Sequence, residues 1–248
     1  AGITTDANHG SANVLPVTYE RIPKQLGRIA ETIPIVTGFV GRSICGERTT
    51  LGRGGSDYSA AIVGKALSAD EIQIWTDVAG IYTTDPRIVS AARSIPELSF
   101  HEAAELAYFG AKVIHPKTIE PAVESGIPVR VKSTFQPEHP GTRIVENRQH
   151  VGRDVVALAV KRQNIILTLE SSRMLDAEGY LANVFGVLKA HGISVDAIAT
   201  SEVSVCMTVE QKYAASLADA VPDLQKFASV DRRPDRTIVC VVGDGMRE

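Results

Sequence analysis
Thr49 to Asp57 reads Thr-Thr-Leu-Gly-Arg-Gly-Gly-Ser-Asp, a set of residue types suited to holding an anion. Gly52, Gly54 and Gly55 permit backbone conformations and close approaches that a Cβ would block. Ser56 or Asp57 can cap a helix whose apolar residues follow through Leu67. A helix N-terminus presents free N–H groups and a potential that favours negative charge. Arg53 adds a planar fork that matches a carboxylate or a phosphate. A glycine-rich turn that merely carries an arginine would look the same locally, so the surrounding elements have to decide.

Those elements alternate. Tyr19 to Glu31 has helical spacing, with Pro23 unsettling its first turn. Ile33-Pro-Ile-Val-Thr37 reads as a buried strand. Asp57 to Leu67 is a helix and Glu71 to Thr76 a strand with Asp77 at its end, followed by the breaker-rich loop Val78 to Arg87. Ser99-Phe-His-Glu102 is a capping box opening a helix that stops at Gly110. Lys112 lies on the short segment before His115-Pro116, where Pro116 suits the first position of a helix ending at Ser125-Gly126. Pro128 to Ser133 is a further strand. This order predicts a parallel sheet covered on both faces, with ligands beyond the C-terminal ends of the strands. The cradle, Asp77 with its loop, and Lys112 would then share one rim.

From Phe135 to about Asp154 the chain turns polar and reads as a linker. Beyond it, strands at Ile165–Leu169, Ser194–Thr200, Val203–Val209 and Phe227–Asp231 alternate with helices at Gly179–Ala190 and Tyr213–Ala220. That is βαββαβ, a ferredoxin-like unit. Val155–Val160 and Thr237–Val242 read as strands of a second, incomplete unit. The expected domains are 1–145, a linker with a first strand at 146–162, a regulatory unit at 163–235, and a partial second unit at 236–248.

The chain has 248 residues, 44% hydrophobic and 22% charged, with a net charge of −3 and both signs interspersed. These values suit a globular protein of one or two domains and give nucleic-acid or membrane-surface binding no support. No run approaches the roughly 18 apolar residues of a membrane span. Cys45, Cys206 and Cys240 are scattered and odd in number, which favours a reducing, cytoplasmic setting over a disulfide framework. The six histidines show no metal-ligand spacing, so no metal site is expected. The turn-rich start, with Asp6-Ala-Asn-His-Gly10 as its clearest breaker, has no initiator methionine.

Three stretches carry a family resemblance: Thr49 to Tyr58, Trp75-Thr-Asp-Val-Ala-Gly-Ile-Tyr-Thr-Thr-Asp-Pro-Arg87, and Phe109-Gly-Ala-Lys-Val-Ile-His-Pro116. Together they resemble the aspartate kinases of the amino-acid kinase family. Gly192-Ile-Ser-Val-Asp196 with Thr200-Ser-Glu-Val-Ser204 is similar to the first ACT regulatory domain of those enzymes. The resemblance implies an α/β fold: the C-terminal part of a doubly wound, carbamate-kinase-like sheet, followed by ACT units. The family's opening Lys-Phe-Gly-Gly-Thr-Ser stretch is missing, so the chain is expected to be a C-terminal portion, inactive by itself.

The implied reaction is ATP-dependent phosphorylation of the L-aspartate β-carboxylate, with Mg²⁺, on the route to lysine, threonine and methionine. Arg53 would pair with an aspartate carboxylate, assisted by Thr50, Gly54, Ser56 and Phe39, with Asp57 between the two substrates. Thr76 and Asp77 would line the nucleotide site, Tyr82 would lie against adenine, Arg87 would reach phosphate, and Lys112 and Val113 would close the site. Met174, Ser194, Val195, Asp196, Thr200 and Ser201 would contact a feedback amino acid, lysine or threonine, in a homodimer or tetramer joined through ACT units. Two readings compete: another amino-acid kinase acting on a small carboxylate or UMP, and a catalytically silent amino-acid-binding module.

Overall fold
The computed structural model describes residues 2–27, 32–109, 114–148, 155–174 and 178–244. Within it the chain divides into two compact units, Ala1–Ala159 with Cys240–Glu248, and Val160–Val239.

In the first unit the glycine turn joins a small sheet to a long helix. Strands β1 (Thr4–Thr5), β2 (Val40–Ser43) and β3 (Arg48–Thr50) lie in that order, β1 parallel and β3 antiparallel to β2. Helices α1 (Val17–Leu26) and α2 (Gly55–Leu67) close over Ile3, Ile22, Leu51, Tyr58 and Ile62. The strand expected at Ile33–Thr37 does not form: Ile33 and Ile35 are 92% and 98% exposed. Pro34 withholds a ladder N–H, and β2 takes the place beside β1.

A second sheet has the order β4 (Ile72–Thr76), β6 (Val129–Ser133), β7 (Thr142–Val145), β5 (Glu97–Ser99). The β4–β6 and β5–β7 pairs are parallel, as βα alternation demands, but β6–β7 is antiparallel. No crossover helix separates those two strands, only the turn at 134–141, so a hairpin is the geometry available. Hence part of the polar stretch expected as a linker carries a sheet strand. Helices α3 (Phe100–Phe109) and α4 (Pro116–Glu124) supply Leu106, Ile119 and Ala122 to the core formed with Ile74, Leu98, Val131 and Ile144. The capping box is present. The Glu102 N–H donates to Ser99 Oγ (3.1 Å), the Ser99 N–H donates to Glu102 Oε2 (2.8 Å), and Glu102 is only 1% exposed.

Arg130 on β6 grips Glu71 at the start of β4, with Nε and Nη2 at 2.9 and 2.8 Å from Oε2. The Arg130 hydrogen bond outweighs partial burial and holds the Glu71 carboxyl below its usual range. A depressed carboxyl pKa stabilises the fold above the unfolded value and loses that contribution as pH falls through the folded one. Glu71→Gln should therefore be less stable than the unmutated protein at pH 7, with the gap closing below about pH 4. Urea titrations at the two pH values check this; a gap independent of pH would exclude the charge as its source.

The second unit is βαββαβ. β8 (Ala157–Glu170), α5 (Tyr180–Ala190), β9 (Val195–Thr200), β10 (Ser204–Glu210), α6 (Ala214–Leu224) and β11 (Ser229–Val242) form a sheet of order β11-β8-β10-β9. Leu167, Leu169, Val205 and Met207 pack against Val184, Leu188, Leu217 and Leu224. The strands expected separately at Val155–Val160 and Ile165–Leu169 are one strand, β8, passing through Gln163 at φ 60°. Likewise Phe227–Asp231 and Thr237–Val242 fall largely on a single β11, with Asp235 at φ 53°. Ala157, Ala159 and Val242, at the far ends of these strands, belong to the core of the first unit. The two sheet edges differ. β11 exposes Asp231, Arg232, Arg233, Pro234, Asp235 and Arg236, whereas β9 reads Val-Asp-Ala-Ile-Ala-Thr with Ile198 exposed. Among the described residues no helix is long and apolar enough to cross a membrane.

Candidate functional site
Helix α2 starts earlier than expected. Its cap is Gly54, in the left-handed region (φ 68°), with no side-chain cap bond, and Ser56 and Asp57 fall inside the first turn. A left-handed residue reverses the chain by backbone geometry alone, so neither side chain is needed as a cap. The Gly55 N–H donates to Gly52 O (3.1 Å), and no side chain caps the turn, which leaves room for an anion at the N–H groups that follow.

The turn is walled closely on two sides. A Cβ on Gly55 would lie 2.6 Å from the Phe39 ring, and one on Gly54 would lie 2.6 Å from Thr118 Cγ2. Phe39 itself has φ 72°, held by its N–H donating to Ser59 Oγ (2.9 Å) and its carbonyl accepting from Leu51 N–H (3.0 Å). A third wall escaped the sequence reading. Gly10 O would lie 3.2 Å from a Cβ on Gly52, the Ala12 N–H donates to Thr50 O, and Asp6 braces that loop through Asn8 and Asn13. Phe39, Thr50, Gly54 and Ser56 are thus brought together around Arg53, which is exposed and, among the described residues, pairs with no carboxylate. Burial pushes the Asp57 carboxyl above its usual range.

Helix directions explain why this end of the unit suits negative charge. Thr118, in the first turn of α4, touches the start of α2, and Lys65 near the end of α2 pairs with Glu124 at the end of α4. The two helices therefore run parallel, and their N-termini lie side by side. Turn 68–71 folds β4 back against α2, where Gly64 abuts Ile72. Thirteen helical residues rise about 20 Å and the five strand residues about 17 Å, so the C-terminal end of β4 comes level with both N-termini. His115 Cβ would also lie 3.5 Å from a Cβ on Gly54, and neither His115 nor Thr118 was expected as part of the cradle, although the Ile-His-Pro run before α4 was the available signal.

At that end of β4, Thr76 Oγ1 donates to Asp77 Oδ1 (3.1 Å), and Thr76 O accepts from the Thr134 N–H (2.8 Å). Tyr82 is half-buried on the following loop, opposite Ser94. Arg87 is exposed and forks onto Asp85, with Nε and Nη2 at 3.0 and 2.8 Å from the two oxygens, so reaching a phosphate would require exchanging that partner. Lys112 and Val113 lie outside the described residues. Among the described residues no cluster of three or more His, Cys, Asp or Glu side chains could hold a metal ion.

In the second unit, Ser194, Val195 and Asp196 sit at one end of β9, and Thr200 and Ser201 at the other. Met174 packs on the core after β8, on the same side as Ser201, whose Oγ lies 2.8 Å from Ser204 Oγ. Asp196 is already engaged: Lys161 Nζ lies 2.7 Å from its Oδ2. Strand β10 is flanked on both sides within its own sheet, and its neighbour β9 is an edge strand.

Residues 1–133 match the amino acid kinase family, and residues 167–222 match an ACT domain. Lysine-sensitive aspartokinase 3 of Escherichia coli is 47% identical over 227 residues, covering 89% of this chain and 50% of that protein. Chloroplastic aspartokinase 3 of Arabidopsis thaliana is 42% identical over 258 residues, covering 99% of this chain and 46% of that protein. The structure of E. coli aspartokinase III in complex with lysine and aspartate superposes with a TM-score of 0.84 at 44% identity, covering 97% of this chain and 55% of that one. Its complex with aspartate and ADP gives 0.81 at 43% identity, covering 99% and 56%. The chain spans about half the length of the curated relatives it matches. Its kinase-type unit with the glycine cradle and its ACT unit occur in the order found in those relatives, and the chain belongs to the amino acid kinase family.

Proposed function
We propose that this chain carries the cradle and regulatory unit of an aspartate kinase, which transfers the γ-phosphoryl group of ATP to the β-carboxylate of L-aspartate. The carrying observation is the likeness, over 97% of the chain, to an aspartokinase structure holding aspartate and lysine. The geometry supports it. A carboxylate with a reference pKa of about 3.9 is ionised at neutral pH, so the acceptor needs no general base. What it needs is alignment and relief of charge repulsion. Arg53 offers a fork for one aspartate carboxylate. The paired N-termini of α2 and α4 face the same end and offer N–H donors to phosphate oxygens.

The glycine cradle, filled by any Cβ, fits an anionic group packed against backbone. Mg²⁺ would enter with the nucleotide and supply neutralisation of its phosphates. Thr76, Asp77 and Tyr82 flank the nucleotide, Arg87 leaves Asp85 for phosphate, and Lys112 with Val113 closes over it. An ADP-release assay on the full-length gene product with L-aspartate, L-glutamate and UMP as acceptors tests the reading. Turnover is expected with L-aspartate alone; preference for either other acceptor would replace it.

Regulation is assigned to the second unit. Ser194 and Ser201 are separated by roughly 20 Å along β9, several times the length of an amino acid. One effector therefore cannot touch both ends within a single unit. Antiparallel pairing of β9 with its copy in a second chain would bring Ser194–Asp196 of one against Thr200–Ser201 of the other, making two equivalent seams. Lysine or threonine bound there would favour one arrangement of the assembly. Ile198, exposed near the middle of β9, would be buried by this pairing. Ile198→Lys should convert the dimer to monomer at micromolar concentration and abolish inhibition by the effector, read by analytical ultracentrifugation and by lysine and threonine titration. A variant that remained dimeric would remove β9 as the seam.

A further inference from the structure
Four charged side chains meet at the Asp196 end of the second unit. Lys161 Nζ lies 2.7 Å from Asp196 Oδ2 and 3.2 Å from Glu210 Oε1, and Glu210 Oε2 pairs with Lys212 at 2.7 Å. The Asp196 side chain is 7% exposed and that of Lys161 17%, so water can do little of what the lysine does. Burial is the largest single influence on Lys161 and pushes its pKa down. The hydrogen bonds and charges of Asp196 and Glu210 together outweigh it and hold the ammonium protonated. Beside this group, fully buried Asn164 donates from Nδ2 to Lys161 O (2.7 Å), while its Oδ1 has no hydrogen-bond partner among the described residues. An unmet buried acceptor is costly and calls for an N–H donor.

We infer that Lys161 is an affinity-setting residue that occupies, from within the chain, the place an effector's ammonium must take. The inference rests on the proposed reading of Asp196 as an effector contact. Lys161 already lies against the Asp196 and Glu210 carboxylates, so an incoming cation meets an occupied partner rather than an open charge. It binds by displacing Lys161 from Asp196, and the flexible four-carbon stem of lysine lets that happen without backbone movement. Lys161 thus weakens effector binding and sets the effector concentration at which the protein responds. Asn164 Oδ1 is the neighbouring acceptor that an effector N–H would satisfy.

The test is calorimetric titration of the full-length gene product with L-lysine and with L-threonine, before and after substitution. Lys161→Met should bind the preferred amino acid about tenfold more tightly, equivalent to about 1.4 kcal/mol. It should also melt lower without ligand, because Asp196 loses the Lys161 ammonium, and show a larger ligand-induced rise in Tm. Lys161→Arg, which keeps a cation, should show no such gain in affinity. Lys161→Gln repeats the first measurement should the methionine variant fold poorly. Asp196→Asn should lose binding. If Asp196→Asn loses binding while Lys161→Met and Lys161→Gln bind no tighter, the inference is overturned and the effector site stands. If Asp196→Asn binds normally, or the unmutated protein binds neither amino acid, the effector reading falls and the inference with it.

Discussion
Arg53→Ala in the full-length gene product is expected to raise the KM for L-aspartate roughly ten- to a hundredfold while leaving the KM for ATP much less affected. The range follows from losing one charge-assisted hydrogen bond, worth about 1.5–3 kcal/mol. Arg53 is exposed between Gly52 and Gly54 and contributes nothing to the packed walls of the cradle, so truncating it should leave the fold intact. Among the described residues no carboxylate pairs with it, so its charge is open to a ligand. Tyr82→Ala, on the loop after β4, should show the opposite preference and weaken ATP more than aspartate. Steady-state kinetics with each substrate varied in turn reads both. Equal weakening of both substrates by both variants would mean that the cradle and the β4 loop do not serve separate substrates.

Gly141→Ala should cause the largest loss of stability, more than about 4 kcal/mol. Gly141 has φ 75°, and a Cβ there would lie 1.9 Å from the Val131 carbonyl oxygen and 3.0 Å from its carbon. Backbone atoms cannot rotate aside, so β6 and β7 would have to separate. The next residue, Thr142, accepts from the Ile81 N–H at 2.8 Å and donates to Ile95 O at 2.6 Å, fastening the Tyr82 loop to the sheet. Damage at 141 should therefore weaken ATP as well. Gly46→Ala is the control. It shares a positive φ, 88°, but a Cβ there meets nothing within 4 Å, so only the left-handed penalty of about 1–2 kcal/mol applies. Urea unfolding of the two variants compares them, and similar losses would show that conformation, not the clash, sets the cost.

What could be read before the structure, and what could not, follows from the range of the interactions involved. The capping box at Ser99–Glu102 and Pro116 at the first position of α4 are local rules, and both hold. The βαββαβ order of the second unit was also legible, because each element carries its own periodicity. Gly54 as the cap was harder, since Ser56 and Asp57 are the usual cap types and nothing local says that a left-handed glycine precedes them. Ile33–Thr37 misled because apolar content marks a strand only where a sheet edge is free to receive it. The walls made by Phe39, Thr118 and Gly10 come from chain stretches tens of residues apart, and no spacing rule joins them. The same holds for Lys161 and Asp196, 35 residues apart in sequence. Asp196 could be singled out from its motif, but the ammonium already lying against it could not.

The unequal edges of the second sheet bear on how growth stops. A strand edge with open N–H and C=O groups is a template, and a sheet with two such edges could add copies without limit. Here Asp231 to Arg236 on β11 bring charge, a proline and a left-handed residue, each of which discourages another strand from docking. Pairing proposed through β9 would consume the inviting edge of this sheet in a two-fold manner and leave the guarded β11 edge outward. Assembly through this sheet would then be self-terminating: concentrating the protein would fill the pair rather than seed fibres. Replacing the β11 charges with β-branched apolar residues would turn a closed pair into an open-ended ribbon.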